Sequence, residues 1–241
     1  MLQDFFRTLA ENMSLKGYGS ILLDGTWMTV KLSICSLLLS VLLGLLGASA
    51  KLSGSRLLRF PAIAYTTLIR GVPDLVLMLL IFYSLQTWLA DITDYMEWDY
   101  IEIDPFSAGI ITLGFIYGAY FTETFRGAIL AVPRGQLEAA SAFGLTRLQR
   151  FRFVLFPQLM RFALPGLGNN WMVLIKSTAL VSIIGLSDVV RAAQDAGKSS
   201  YRLLFFLLVA AAIYLLFTTV SNIVLNALER RYAIGVREAL R

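Results

Sequence analysis

Residues 138–157 read EAASAFGLTRLQRFRFVLFP, a basic stretch in a chain that is otherwise largely apolar. Residues 136–143 are rich in helix formers, and Glu138 comes early enough to favour the positive end of a helix dipole. Gly144 is placed to end that helix. Thr146-x-x-Gln149 has the form of a capping box that starts a second one. Leu148, Phe151 and Leu155 then recur at i, i+3 and i+7, an apolar stripe on a basic helix that Pro157 is expected to stop. Two local readings stand side by side. One is an interfacial helix whose arginines meet anionic lipid; the other is a docking surface for a second protein. The small side chains Ala139, Ala140 and Ala142 favour docking, because they let another surface approach the backbone.

The rest of the chain sets the context. Of 241 residues, 57% are hydrophobic and 15% charged, with a mean hydropathy of +0.70. Soluble domains run at about 45–50% apolar and about 25% charged, so the bilayer is the expected solvent. The chain has no histidine and a single cysteine, Cys35. That excludes a Ser-His-Asp triad, a Cys-His pair and the usual zinc sites, and it excludes a disulfide within the chain. Residues 1–25 lack the layout of a cleaved signal peptide and are read as a retained extracytoplasmic segment, an interfacial helix by composition.

A spanning helix needs about 20 mostly apolar residues. Five stretches qualify: 27–50, the stretch from the Gly71-Val72-Pro73 break to residue 90, 107–132, 163–186 and 203–228. All are expected to be helices, since an open sheet in lipid leaves backbone groups unpaired. The fold class is therefore an all-α integral membrane protein of five transmembrane helices. It forms one membrane domain over residues 26–229 with a tail at 230–241, and the 138–157 insert joins the third and fourth spans.

Basic residues give the orientation. One side collects Lys51, Arg56, Arg59, Arg134, Arg147, Arg150, Arg152, Arg161, Arg230, Arg231, Arg237 and Arg241; the other collects Arg7, Lys16, Arg191, Lys198 and Arg202. The connection at 91–104 is rich in acids and has no base. The positive-inside bias puts the richer side in the cytoplasm, the N-terminus outside and the C-terminus inside. The net charge of +5 is then topology. No basic domain or stacking platform suggests a nucleic-acid partner.

EAA, three residues, Gly144, nine residues and then Val154-x-Phe156-Pro157 resembles the EAA loop of binding-protein-dependent ABC importer permeases. The family pattern ends Ile-x-Leu-Pro, so Val154 and Phe156 are conservative departures. TTLIRGVPDLVLMLLIFY (66–83), GFIYGAYFTETFRGAI (114–129) and NNWMVLIKSTALVS (169–182) are similar to the polar-amino-acid branch, of the histidine and lysine/arginine/ornithine type.

The resemblance implies a type I ABC importer fold in a bacterial inner membrane. It also implies a second permease, homologous or identical, two cytoplasmic ATP-binding subunits and an extracytoplasmic solute-binding protein. ATP and Mg²⁺ belong to the ATPase subunits, and no cofactor is expected on this chain. Glu138, Ala139, Ala140, Gly144 and Pro157 are the residues implied for coupling to the ATPase.

Charges inside the spans are costly unless paired or facing a cavity. Arg70 and Asp74 are expected to brace the 71–73 break as an ion pair near the cytoplasmic boundary, and Glu123 and Arg126 to satisfy one another. The functional alternative is a polar amino-acid site. Glu123 then attracts a cationic group, Lys176 meets a carboxylate, and Asn169, Asn170, Ser177 and Thr178 add neutral hydrogen bonds. Ala196-Gly197-Lys198-Ser199 lacks the first glycine of a phosphate loop, with Ala192 in its place. Gly166-Leu167-Gly168 lacks the third glycine of a dinucleotide fingerprint. A secondary transporter or channel is the competing function, but it usually has more spans and inverted repeats.

Overall fold

The computed structural model describes residue 15 and residues 17–232, and among these every regular element is helical. The first helix, α1, runs Gly19–Leu52. It is followed by α2 (Arg56–Gly71), α3 (Asp74–Tyr95) and α4 (Pro105–Ala131). Next come the short helices α5 (Arg134–Ala142) and α6 (Arg147–Arg150). A π-helical turn at Phe151–Leu155 leads into α7 (Phe156–Ser177), and a 3₁₀ segment at Thr178–Ile184 continues it. Helices α8 (Val189–Ser199) and α9 (Leu203–Tyr232) complete the chain. Five helical runs are long and apolar enough to cross a membrane: Gly19–Leu52, Asp74–Tyr95, Pro105–Ala131, Arg147–Ile184 and Leu203–Tyr232. The expected interfacial helix at the N-terminus lies mostly outside the described residues, and α1 already begins at Gly19.

Helix α4 is the centre of the bundle, with Leu113, Ile116, Tyr117 and Phe121 fully buried. It packs chiefly on α1 and α7. The α1 face is made of small residues: Ser36, Ser40, Gly44 and Ala48 recur every fourth position and are all buried. Lipid tails are as apolar as leucine, so helices in a bilayer associate through close packing, which small residues allow. The approach is tight enough that a Cβ on Gly44 would stand 2.6 Å from Cβ of Phe121. Two hydroxyls of α1 bond back into their own helix, Ser33 to the Thr29 carbonyl at 2.7 Å and Ser40 to that of Ser36 at 2.7 Å. By contrast, α3 and α9 bury few side chains and form the periphery.

Pro157 does not end a helix. It sits in the first turn of α7, a position that suits the fixed φ of proline. The π turn before it shifts the ladder, and the Phe156 amide bonds the Phe151 carbonyl. The fourth span is thus continuous with the 138–157 insert.

The loop before α8 is tied to α1. The Val189 amide donates to Thr29 Oγ1 at 3.1 Å, and the fully buried Asp188 caps α8 by accepting from the Arg191 amide at 2.9 Å. Burial pushes the Asp188 carboxyl up from 3.8 to about 6, against the backbone bonds from Arg191 and Val190. A native pKa raised above the unfolded one gives a stabilisation complete below pH 3.8 and lost as pH rises through about 6. Asn caps as well as Asp and cannot ionise. Asp188→Asn should therefore match wild-type thermal stability near about pH 4 and exceed it by a few degrees near about pH 7.5. Melting curves of the purified protein across that range test this. Parallel pH profiles for the two proteins would contradict it.

Candidate functional site

Two helix breaks meet at one tyrosine. Pro73 forces the residue before it out of the α region, and Val72 is extended at φ −115°, ψ 142°, so α2 stops and α3 starts anew at Asp74. The second break is the change from α7 to the 3₁₀ segment after Ser177. Between them stands Tyr117, buried at the middle of the 27 residues of α4. Its hydroxyl donates to Asp74 Oδ2 at 2.8 Å and lies 2.6 Å from Ser177 Oγ. Its ring stacks on Tyr120 at 5.6 Å between centroids, and the Arg70 guanidinium lies over the Tyr120 ring at 5.4 Å.

This corrects the expected Arg70–Asp74 ion pair. Among the described residues the two do not pair, because the extended backbone between them turns their side chains to different neighbours. Tyr117 holds Asp74 level with the middle of α4. Arg70 is exposed on the single chain. A guanidinium at that depth is too costly to face lipid, so it faces a water-filled path or a second subunit. An acid and a base at paired helix breaks offer complementary partners to a zwitterion. Arg70, Asp74, Tyr117 and Tyr120 were not among the sequence candidates. The Gly71–Pro73 interruption of an apolar stretch is the sequence signal that could have found them.

Of the sequence candidates, Ser177 joins this cluster. Thr178 is buried, donates to the Ile175 carbonyl at 2.7 Å and lies 3.2 Å from Tyr214 Oη. Asn170 is buried and bonds Thr124 across α7 and α4 at 3.0 Å, while Asn169 is exposed. Lys176 is exposed on the α9 side, lining a cleft of about 330 Å³ with Ala210 and Tyr214. Glu123 lies in a different place. It accepts from Arg126 Nε at 3.0 Å, as the spacing suggested, and also from Lys51 Nζ of α1. The structure does not bring Glu123 and Lys176 together.

The 138–157 insert is a helical hairpin with every local bond in place. Leu145 N bonds the Ala140 carbonyl at 3.1 Å and Gly144 N that of Ser141 at 3.0 Å, a Schellman end that needs the left-handed φ of +75° found at Gly144. Thr146 and Gln149 form the reciprocal capping box. Arg150 Nη1 reaches back to Ser141 Oγ. Ala140 is buried within the hairpin, whereas Glu138 and Ala139 are exposed. Phe143 and Leu148, 84% and 74% exposed, add an apolar tip to that surface. Exposed apolar patches of this kind mark interaction sites.

A five-span helical chain with a polar cluster at two helix breaks and a hairpin between its third and fourth spans has the build of a membrane transport component. Residues 40–234 match the family model of the binding-protein-dependent transport system inner membrane component. The chain belongs to that family. It is 60% identical over 225 residues to the histidine/lysine/arginine/ornithine transport system permease protein HisQ of Escherichia coli (strain K12), covering 93% of this chain and 99% of that protein. It is 41% identical over 208 residues to the nopaline transport system permease protein NocQ of Agrobacterium fabrum, covering 86% and 88%. A solved structure described as an amino acid ABC transporter with histidines superposes with a TM-score of 0.76 at 34% identity, covering 89% of this chain and 95% of that one.

Proposed function

We propose that this chain forms one half of the pathway of an ATP-driven importer of basic amino acids in a bacterial inner membrane. The observation that carries the reading is the juxtaposition of Arg70, Asp74, Tyr117 and Ser177 at two helix breaks. Arg70 offers two parallel donors to an α-carboxylate, and Asp74 attracts an ammonium or guanidinium. The relatives named for basic amino acids and for nopaline support the same substrate class. The other half of the pathway is a homologous permease. Two ATPase subunits hold ATP and Mg²⁺ and grip the hairpin through Glu138, Ala139, Phe143 and Leu148. A solute-binding protein delivers the amino acid from outside, where the N-terminus and the acidic 91–104 connection lie.

Reconstitution tests the proposal. The chain, its partner permease, the ATPase and the binding protein are placed in proteoliposomes and offered radiolabelled arginine, lysine, histidine, leucine and glutamate. Accumulation of the first three is expected only with ATP and binding protein both present. Equal uptake of glutamate, or uptake without ATP, would overturn it. A cysteine at Glu97 in a Cys35→Ala background is expected to react from the binding-protein side. Labelling only from the ATPase side would reverse the topology.

A further inference from the structure

A second group of charges lies toward the hairpin end of the bundle, away from the midplane cluster. Lys51 in the last turn of α1, Arg59 and Ile63 on α2, and Arg126 on α4 line an open pocket of about 230 Å³. Among the described residues, Glu123 is the acid that pairs with these cations, accepting from Lys51 Nζ and from Arg126 Nε. Lys51 also donates to Thr66 Oγ1 at 2.6 Å, and its side chain is 11% exposed. Three cations against one carboxylate leave the pocket with an excess of two positive charges. An anion in the pocket would offset that excess.

The rim says which kind. Ile63 of α2 lines the pocket beside Arg59, and Ile63 and Phe60, three apart on the same helix, are 39% and 76% exposed, so an apolar strip borders the basic one at the end of a spanning bundle. Basic pockets between spanning helices at this level bind lipid headgroups, and an apolar flank beside a basic face is how a helix sits at a lipid interface.

We propose that this pocket binds the phosphate of an anionic phospholipid, with Arg59 and Arg126 against the headgroup and the acyl chains lying along Ile63 and Phe60. The inference rests on the membrane placement of the spans and not on the transported substrate. A free phosphate ion shares the headgroup chemistry but has nothing to lay on Ile63 and Phe60.

Native mass spectrometry of the assembled transporter, exchanged into phosphatidylglycerol or phosphatidylcholine, tests it. Selective retention of phosphatidylglycerol is expected. Arg59→Gln should weaken that retention about ten- to a hundredfold, the loss of one charge-assisted contact, while Arg59→Lys restores most of it. Arg59 is exposed and forms no ion pair among the described residues, so the variant should still assemble. Equal retention of the two lipids, or no effect of Arg59→Gln, would overturn the proposal. Displacement of the lipid by millimolar inorganic phosphate would instead assign the pocket to the free ion.

Discussion

Valine at position 144 is expected to cut binding-protein-stimulated ATP hydrolysis and uptake together, to roughly a tenth of wild type, because strain of about 1–3 kcal/mol at one residue is worth a factor of ten or more. The cause is backbone conformation. Gly144 holds φ at +75°, and a Cβ built there meets no atom within 4 Å, so bulk is not the obstacle. A β-branched residue fits the left-handed region poorly, and the Schellman bonds of Leu145 and Gly144 break if φ reverts. The second helix is then misdirected and the surface of Glu138, Ala139, Phe143 and Leu148 is scattered. Asn tolerates left-handed φ, so Gly144→Asn should retain most of the activity. The measurement is stimulated ATPase and transport in proteoliposomes, with subunit stoichiometry checked. Wild-type turnover in the valine variant would show that the hairpin's shape is not what joins the chain to its motor.

Tyr117→Phe should lower uptake of arginine and lysine roughly ten- to a hundredfold, since a hydrogen bond to a charged group is worth about 1.5–3 kcal/mol. The change removes one hydroxyl that serves both Asp74 and Ser177, leaving the carboxylate at mid-depth without that donor. The ring remains to stack on Tyr120. The affinity of the binding protein for its amino acid should not move, because that site is on another chain. Uptake kinetics in assembled complexes, with Tyr120→Phe as the milder comparison, decide the matter. Normal kinetics for Tyr117→Phe would remove the cluster from the substrate path.

The hairpin was legible because its rules are local. A Schellman end and a capping box each depend on residues within about six positions, and Glu138 to Gln149 carry them all. Pro157 misled because a proline that stops one helix also starts another, and the register shift at Phe151–Leu155 depends on the surrounding structure, not on any one residue. Arg70 and Asp74 misled for a related reason. Four residues apart on a continuous helix they would face one another, but the stretch between them is extended, and their partners, Tyr120 and Tyr117, come from α4. Ala140 has the small side chain of a docking residue, yet the second helix covers it. The apolar tip at Phe143 and Leu148 takes its place on the exposed surface. For Arg70 and Asp74 the missing information was a contact from a distant part of the chain.

The π turn at Phe151–Leu155 carries one more residue than an α-helical path of the same span. Each residue turns an α-helix by about 100° and advances it by about 1.5 Å. Winding the same residues as an uninterrupted α-helix would therefore swing the hairpin about a third of a revolution around the axis of α7. The extra residue sets an angular phase: it aims the hairpin's exposed side in one compass direction relative to the bundle. A transporter built on this chain is thus sensitive to the count of residues between Arg150 and Pro157 as well as to their identity, much as two gears depend on the number of teeth between their marks.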